Sequence, residues 1–147
     1  MNNLYYEDFI VGNKYVTASR TITETDIVLF CGLSGDFHPL HSDSEYAAKH
    51  FYGGRAAHGM LVASISYGLW CRMGLMDEAG IASLETNWKY VEVVRPGDTI
   101  HAECEVVEVS PHVKIGKGTV SMKLTASNQT GEVVLEGKFA FLIKTRQ

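Results

Sequence analysis

Four side chains able to hold or move a proton lie within eight residues, Asp36, His38, His41 and Asp43, in the run Ser34-Gly35-Asp36-Phe37-His38-Pro39-Leu40-His41-Ser42-Asp43. A carboxylate accepts hydrogen bonds at neutral pH and an imidazole titrates close to it. Asp36 with His41 therefore supplies what activating one water, or delivering one proton, requires. Pro39 braces the loop that carries them, and a loop fixed between two helices holds side chains at a defined separation. The same residues have two other uses. Asp36 can cap its own turn while the histidines satisfy backbone carbonyls. Alternatively Asp36, His38, His41 and Asp43 can be read as metal ligands, but their spacing matches none of the motifs that bring three or four ligands to one point. Neither a metal nor an organic cofactor is expected.

The elements that must position this loop are legible on either side of it. Thr23 followed by Asp26 is a capping box, and Ile27, Phe30 and Cys31 recur at helical spacing, which predicts a helix over 24–33. Ser42 followed by Glu45 repeats the signature and predicts a second helix over 43–50. After Gly53-Gly54 comes a segment, 59–74, that is apolar around its whole circumference, with small residues Ala63, Ser64, Ser66 and Gly68 among the large ones. Such a helix is expected to be buried on nearly all sides. The period then changes to two. Strands are expected over 14–22, over 82–94 closed by the Arg95-Pro96-Gly97-Asp98 turn, and from Ile100 with a bulge at Val107. Two more follow, over 120–126 and 133–143. About five antiparallel strands and one all-round apolar helix define an α+β domain whose sheet curls around that helix.

Composition excludes several classes of function. The 147 residues are 46% hydrophobic and suit one domain spanning 1–147. The net charge is −4 and the basic residues are scattered, so no nucleic-acid partner is expected. The longest apolar run, Gly59–Cys71, has 13 residues, short of the roughly 20 needed to span a bilayer. No membrane partner is expected. MNNLYYEDFI carries neither a basic nor an apolar leader segment, which makes the cytoplasm the expected location. Cys31, Cys71 and Cys104 read as reduced, buried thiols. Tyr67, Trp70 and Met73 read as core, and Glu103, Glu105 and Glu108 as a solvated strand face. His58 reads as bonding a carbonyl near a helix start. The strand over 82–94, apolar on both parities near Val91, Val93 and Val94, leaves an edge to be covered and predicts at least a homodimer.

Three stretches carry a family resemblance: Ser34 to Asp43, then Ala57-His58-Gly59-Met60-Leu61-Val62-Ala63-Ser64, then Val94-Arg95-Pro96-Gly97-Asp98-Thr99. In this order they resemble the MaoC-type, R-specific enoyl-CoA hydratase/dehydratase family. The resemblance spans nearly the whole chain and implies a hot-dog fold, a long helix wrapped by an antiparallel sheet. It implies reversible hydration of a trans-2-enoyl thioester to an (R)-3-hydroxyacyl thioester, carried on CoA or on acyl carrier protein. Asp36 and His41 would activate the water, and a backbone N–H near Gly59 would hold the thioester carbonyl. The chemistry is consistent, because attack at the β-carbon drives charge onto that oxygen and a helix N-terminus offers unpaired donors. Ser64 would orient Asp36, or would simply be a small packed residue. The family usually has Asn where this chain has His38, whose imidazole would either buttress the loop or tune His41. Two further readings share the fold: an acyl-CoA thioesterase, and a non-catalytic acyl-binding or scaffold subunit.

Overall fold

The computed structural model describes residues 3–111 and 116–146. Its centre is helix α4 (Gly59–Cys71), and the strands that wrap it alternate as the sequence period requires. In β4 (Thr99–Pro111) and β5 (Lys117–Ser127) every second residue is buried over most of the length, so Ile100, Ala102, Cys104, Val106, Val120, Met122, Leu124 and Ala126 form a continuous apolar floor. Leu61, Val62, Ile65, Leu69 and Trp70 of α4 join the same core. This is the hot-dog arrangement, built from one sheet in the order β1-β4-β5-β6-β3, with β1 at Lys14–Val16, β6 at Val133–Lys144 and β3 at Gly80–Tyr90. Every pairing is antiparallel.

Several element boundaries differ from the sequence reading, each for a local reason. The first strand is two short ones, β1 (Lys14–Val16) and β2 (Arg20–Thr21), both pairing with β4. Between them the Thr17 hydroxyl accepts the Ala102 N–H at 2.9 Å, so a side chain interrupts the backbone ladder. Helix α4 ends at Cys71, not at Gly74, where Gly74 adopts φ +66 and lets the chain turn. The strand expected over 82–94 is β3, starting two residues earlier and stopping at Tyr90. The bulge foreseen at Val107 is present, as a register shift between Val106 and Glu108.

Burial also departs in two places. Met60 is 57% exposed and Ser64 is exposed, so one face of α4 lies open, contrary to the all-round burial its composition suggests. Cys31 and Cys104 are buried as expected, but Cys71, at the last position of α4, is exposed. Burial pushes the Cys104 thiol up to about 12.

Candidate active site

The loop that carries Asp36 and His41 is assembled almost wholly by short-range bonds. Helix α1 (Glu24–Ser34) begins with the expected capping box, Thr23 and Asp26 each accepting the other's backbone N–H. It ends at Gly35, which takes the left-handed conformation at φ +77 and donates its N–H to Cys31 O. Asp36 Oδ1 then accepts the His38 N–H at 3.1 Å, which commits one carboxylate oxygen to the turn and leaves Oδ2 for other work. A four-residue helix, α2 (Pro39–Ser42), follows, with proline at its first position.

His38 is the N-cap of α2. Its Nδ1 accepts the Leu40 N–H at 3.1 Å, so the imidazole buttresses the loop as an acceptor. The residue that caps the next helix, α3 (Ser44–Lys49), is Asp43 and not Ser42. Asp43 Oδ1 accepts the Tyr46 N–H at 2.9 Å, and Ser42 Oγ donates instead to Phe37 O. Two of the four polar residues of the motif are thus occupied as caps. The same bonds disperse the ligand set that a metal reading would have needed.

His41 is fixed from below. Its Nδ1 lies 2.7 Å from Ala56 O, and a carbonyl can only accept, so Nδ1 carries the proton and Nε2 presents a lone pair. Arg55 holds the same segment, its Nε donating to His41 O at 2.9 Å while Nη2 pairs with Glu24 at 2.7 Å. His41 Nε2 and Asp36 Oδ2 are 3.9 Å apart. That is too long for a hydrogen bond and close to the span that one water bridges while donating to both. The His41 side chain is 13% exposed against 51% for Asp36. Its pKa lies below the usual histidine value, first because burial penalises the cation. The neighbouring His58 and His38 rings act the same way, and the Ala56 carbonyl and Asp36 oppose it. A neutral imidazole facing an acceptor across one water is the geometry of a general base.

A cavity of about 450 Å³ opens beside the pair, lined by His41 and Gly59 together with Val62, Tyr90, Val94 and Val134. Gly59 is the first residue of α4, whose intrahelical bonding starts with Val62 N–H to His58 O. The amides at the helix start have no partner within the helix, as at any helix N-terminus. The glycine is required for a reason the sequence did not reveal: a Cβ at this position would stand 2.8 Å from Tyr90 Cε1. The close approach is that of the Tyr90 ring, held where it is by its hydroxyl on Met60 Sδ at 3.0 Å.

Ser64 is not brought to Asp36. Its Oγ donates to Met60 O one turn back, at 2.7 Å, on the exposed side of α4. His58, passed over as a mere carbonyl partner, does bond a carbonyl, that of Asp36, from Nε2 at 3.0 Å. It also stacks on His41 with ring centroids 3.8 Å apart. Asp36, His41 and His58 therefore offer three ligand-type atoms within 4.8 Å of one another. Two nearly parallel imidazoles, 25° between planes, do not aim their lone pairs at one ion, and His58 Nε2 is already bonded. The cluster does not fit a metal.

A sheet curled about one helix defines a hot-dog domain, and here an Asp–His pair and a cavity lie near that helix's N-terminus. The chain belongs to the MaoC-like domain family, whose model matches residues 8–128. It is 34% identical over 143 residues to an (R)-specific enoyl-CoA hydratase of Rhodospirillum rubrum, covering 97% of this chain and 93% of that one. It is 38% identical over 96 residues to protein MaoC of Klebsiella aerogenes, where the match takes in 65% of this chain but only 28% of that longer protein. Among solved structures, the unliganded R-hydratase of Pseudomonas aeruginosa superposes with a TM-score of 0.80 at 30% identity, over 99% of this chain and 88% of that one.

Proposed function

We propose that the protein is a hydro-lyase that reversibly adds water to a trans-2-enoyl thioester, giving an (R)-3-hydroxyacyl thioester. The observation that carries the reading is the 3.9 Å gap between Asp36 Oδ2 and His41 Nε2, two acceptors of which His41 lines the cavity that Gly59 also borders. A water donating to both keeps a lone pair for the β-carbon. His41 takes its proton as the C–O bond forms, and the charge passed to the thioester oxygen meets the free amide at Gly59. The proton then returns to the α-carbon. Water is added and no bond of the thioester is broken, so the carrier, CoA or acyl carrier protein, stays attached. The relationship to enoyl-CoA hydratases supports CoA.

Mixing the protein with crotonyl-CoA is expected to remove the enoyl-thioester absorbance without releasing free thiol. Thiol release matching the absorbance loss would instead favour the thioesterase, and no change in either, with crotonyl-CoA and with longer enoyl thioesters, would favour a non-catalytic acyl-binding or scaffold subunit.

The protein is further proposed to act as a homodimer. Strand β3 ends the sheet with one side unpaired, and it exposes Ile81, Leu84 and Tyr90. It lies beside the open face of α4, to which it is tied by Tyr67 and Ser83 at 3.0 Å. An apolar edge strand next to an uncovered helix face suits a second copy related by a two-fold axis. Light scattering at micromolar concentration is expected to give twice the chain mass of 16.2 kDa, and the monomer mass would contradict this. No helix among the described residues is long and apolar enough to cross a membrane. The three free cysteines support the cytoplasm as the location.

A further inference from the structure

His58 occupies the N-cap of α4, the position where Ser, Thr, Asp or Asn ordinarily satisfies the first amides of a helix, yet its side chain makes no capping bond. The imidazole is turned back toward the catalytic loop. It is 3% exposed, and its contacts reach three elements at once. On one side it stacks on His41, centroids 3.8 Å apart; on the other it meets the ring of Phe30 in α1 at 4.9 Å, with Cys31 Sγ 3.6 Å from Nε2. In the ring plane Nε2 lies 3.0 Å from Asp36 O, so Nε2 carries the proton. Nδ1 is buried with no partner. A residue that neither caps its helix nor satisfies both its nitrogens costs stability on each count, and this side chain is turned instead toward Asp36 and His41.

We propose that His58 is the positioning residue of the Asp36–His41 pair, fixing the carboxylate by its backbone and the imidazole by its face, and so setting the distance between them. The inference rests on the reading given under Proposed function. One side chain touches both halves of the pair without reaching the reacting atoms: Nε2–H restrains the peptide of Asp36, and the ring restrains the plane of His41. Its tautomer is the opposite of that of His41, whose proton sits on Nδ1 for Ala56 O. The other ionisable groups that face His41 are Asp36 and His38 on its own loop. Arg55 lies behind its carbonyl, and Tyr52, Tyr90 and Glu92 share its cavity. None of these is stacked on the ring as His58 is, with 25° between the planes. Part of the burial that holds His41 neutral is therefore the face of His58.

Two substitutions separate the two restraints. His58→Phe keeps a ring against His41 and removes the donor to Asp36 O; kcat is expected to fall at least about tenfold with KM little changed, because only transition-state alignment is lost. The acid limb of its pH profile should move less than that of a variant without the ring, because the face of His41 stays covered. His58→Gln keeps an N–H for Asp36 O and removes the ring; its acid limb should move to higher pH as the face of His41 opens to water. A purely structural role would lower the melting temperature and leave both the kcat-against-KM split and the acid limb unmoved, and that result overturns the proposal. A third measurement needs no variant. Imidazole ¹⁵N shifts of the native protein should place the proton on Nε2 of His58 and on Nδ1 of His41; a proton on Nδ1 of His58 overturns the proposal even if the variants fail to fold. Native protein inert toward every enoyl thioester would defeat the hydratase reading, whereas the ¹⁵N shifts test the positioning geometry separately.

Discussion

Asp36→Asn and His41→Ala should each lower enoyl-thioester hydration by roughly 10²- to 10⁴-fold, the range a positioned acid–base group supplies. The double variant should be little worse than the poorer single one, since two acceptors that hold the same water act as a unit. Independent roles would make the two losses multiply. Asp36→Asn is the cleaner change, because the amide oxygen can still accept the His38 N–H that Oδ1 accepts now, and the turn survives. His41→Ala also leaves the buried Ala56 carbonyl without its donor, a cost of about 1–3 kcal/mol that chemical denaturation will show separately. His38→Asn should keep most of the activity, since Asn also caps well and can accept the Leu40 N–H. The lowered pKa of His41 sets the direction of the pH dependence. The neutral base persists below the usual histidine value, so activity should decline only on the acid side of it. For stability the sign is the same. The unfolded chain takes up this proton first as pH falls, so the contribution of His41 to stability is complete above about 6.5 and is lost below it.

The second large effect is expected at Gly59. An alanine there would drive its Cβ into the Tyr90 ring at 2.8 Å, and either the ring or the helix start must move. If the helix start moves, the amide proposed to meet the thioester oxygen is displaced; loss of such a donor costs roughly 10²- to 10³-fold, and Gly59→Ala should approach that range in kcat/KM. Combining it with Tyr90→Ala should restore much of the rate, because the second change removes the obstacle and leaves the amide. A Gly59→Ala variant as active as the native protein would mean that the carbonyl is held elsewhere. Failure of Tyr90→Ala to relieve the loss would mean that glycine is needed for the substrate's approach and not for the ring's.

Much of this was legible before the fold was known. The alternation of β4 and β5 and the unbroken apolar run of α4 dictate a sheet around a helix, and the Thr23–Asp26 box fixes the start of α1 to the residue. The pairing of Asp36 with His41 could also be read, because both lie on one short proline-braced loop. What could not be read was where side chains spend their second bond. Asp43 and His38 look like chemistry in the sequence and are caps in the structure, and Ser64 looks like an orienting hydroxyl and bonds its own helix. His58 shows the reverse. Its partners come from α1 and from the loop, 22 residues away at Asp36 and 27 at Cys31, and no local pattern announces contacts made at that range. The open face of α4 was missed because an apolar sequence reports what a helix can bury, not whether this chain alone covers it.

On the proposed reading, one water held by Asp36 and His41 is added to an enoyl thioester. Chiral analysis of the 3-hydroxybutyryl-CoA formed from crotonyl-CoA tests it most directly. A single R enantiomer with the thioester intact is the result this site predicts; an S or racemic product would contradict it.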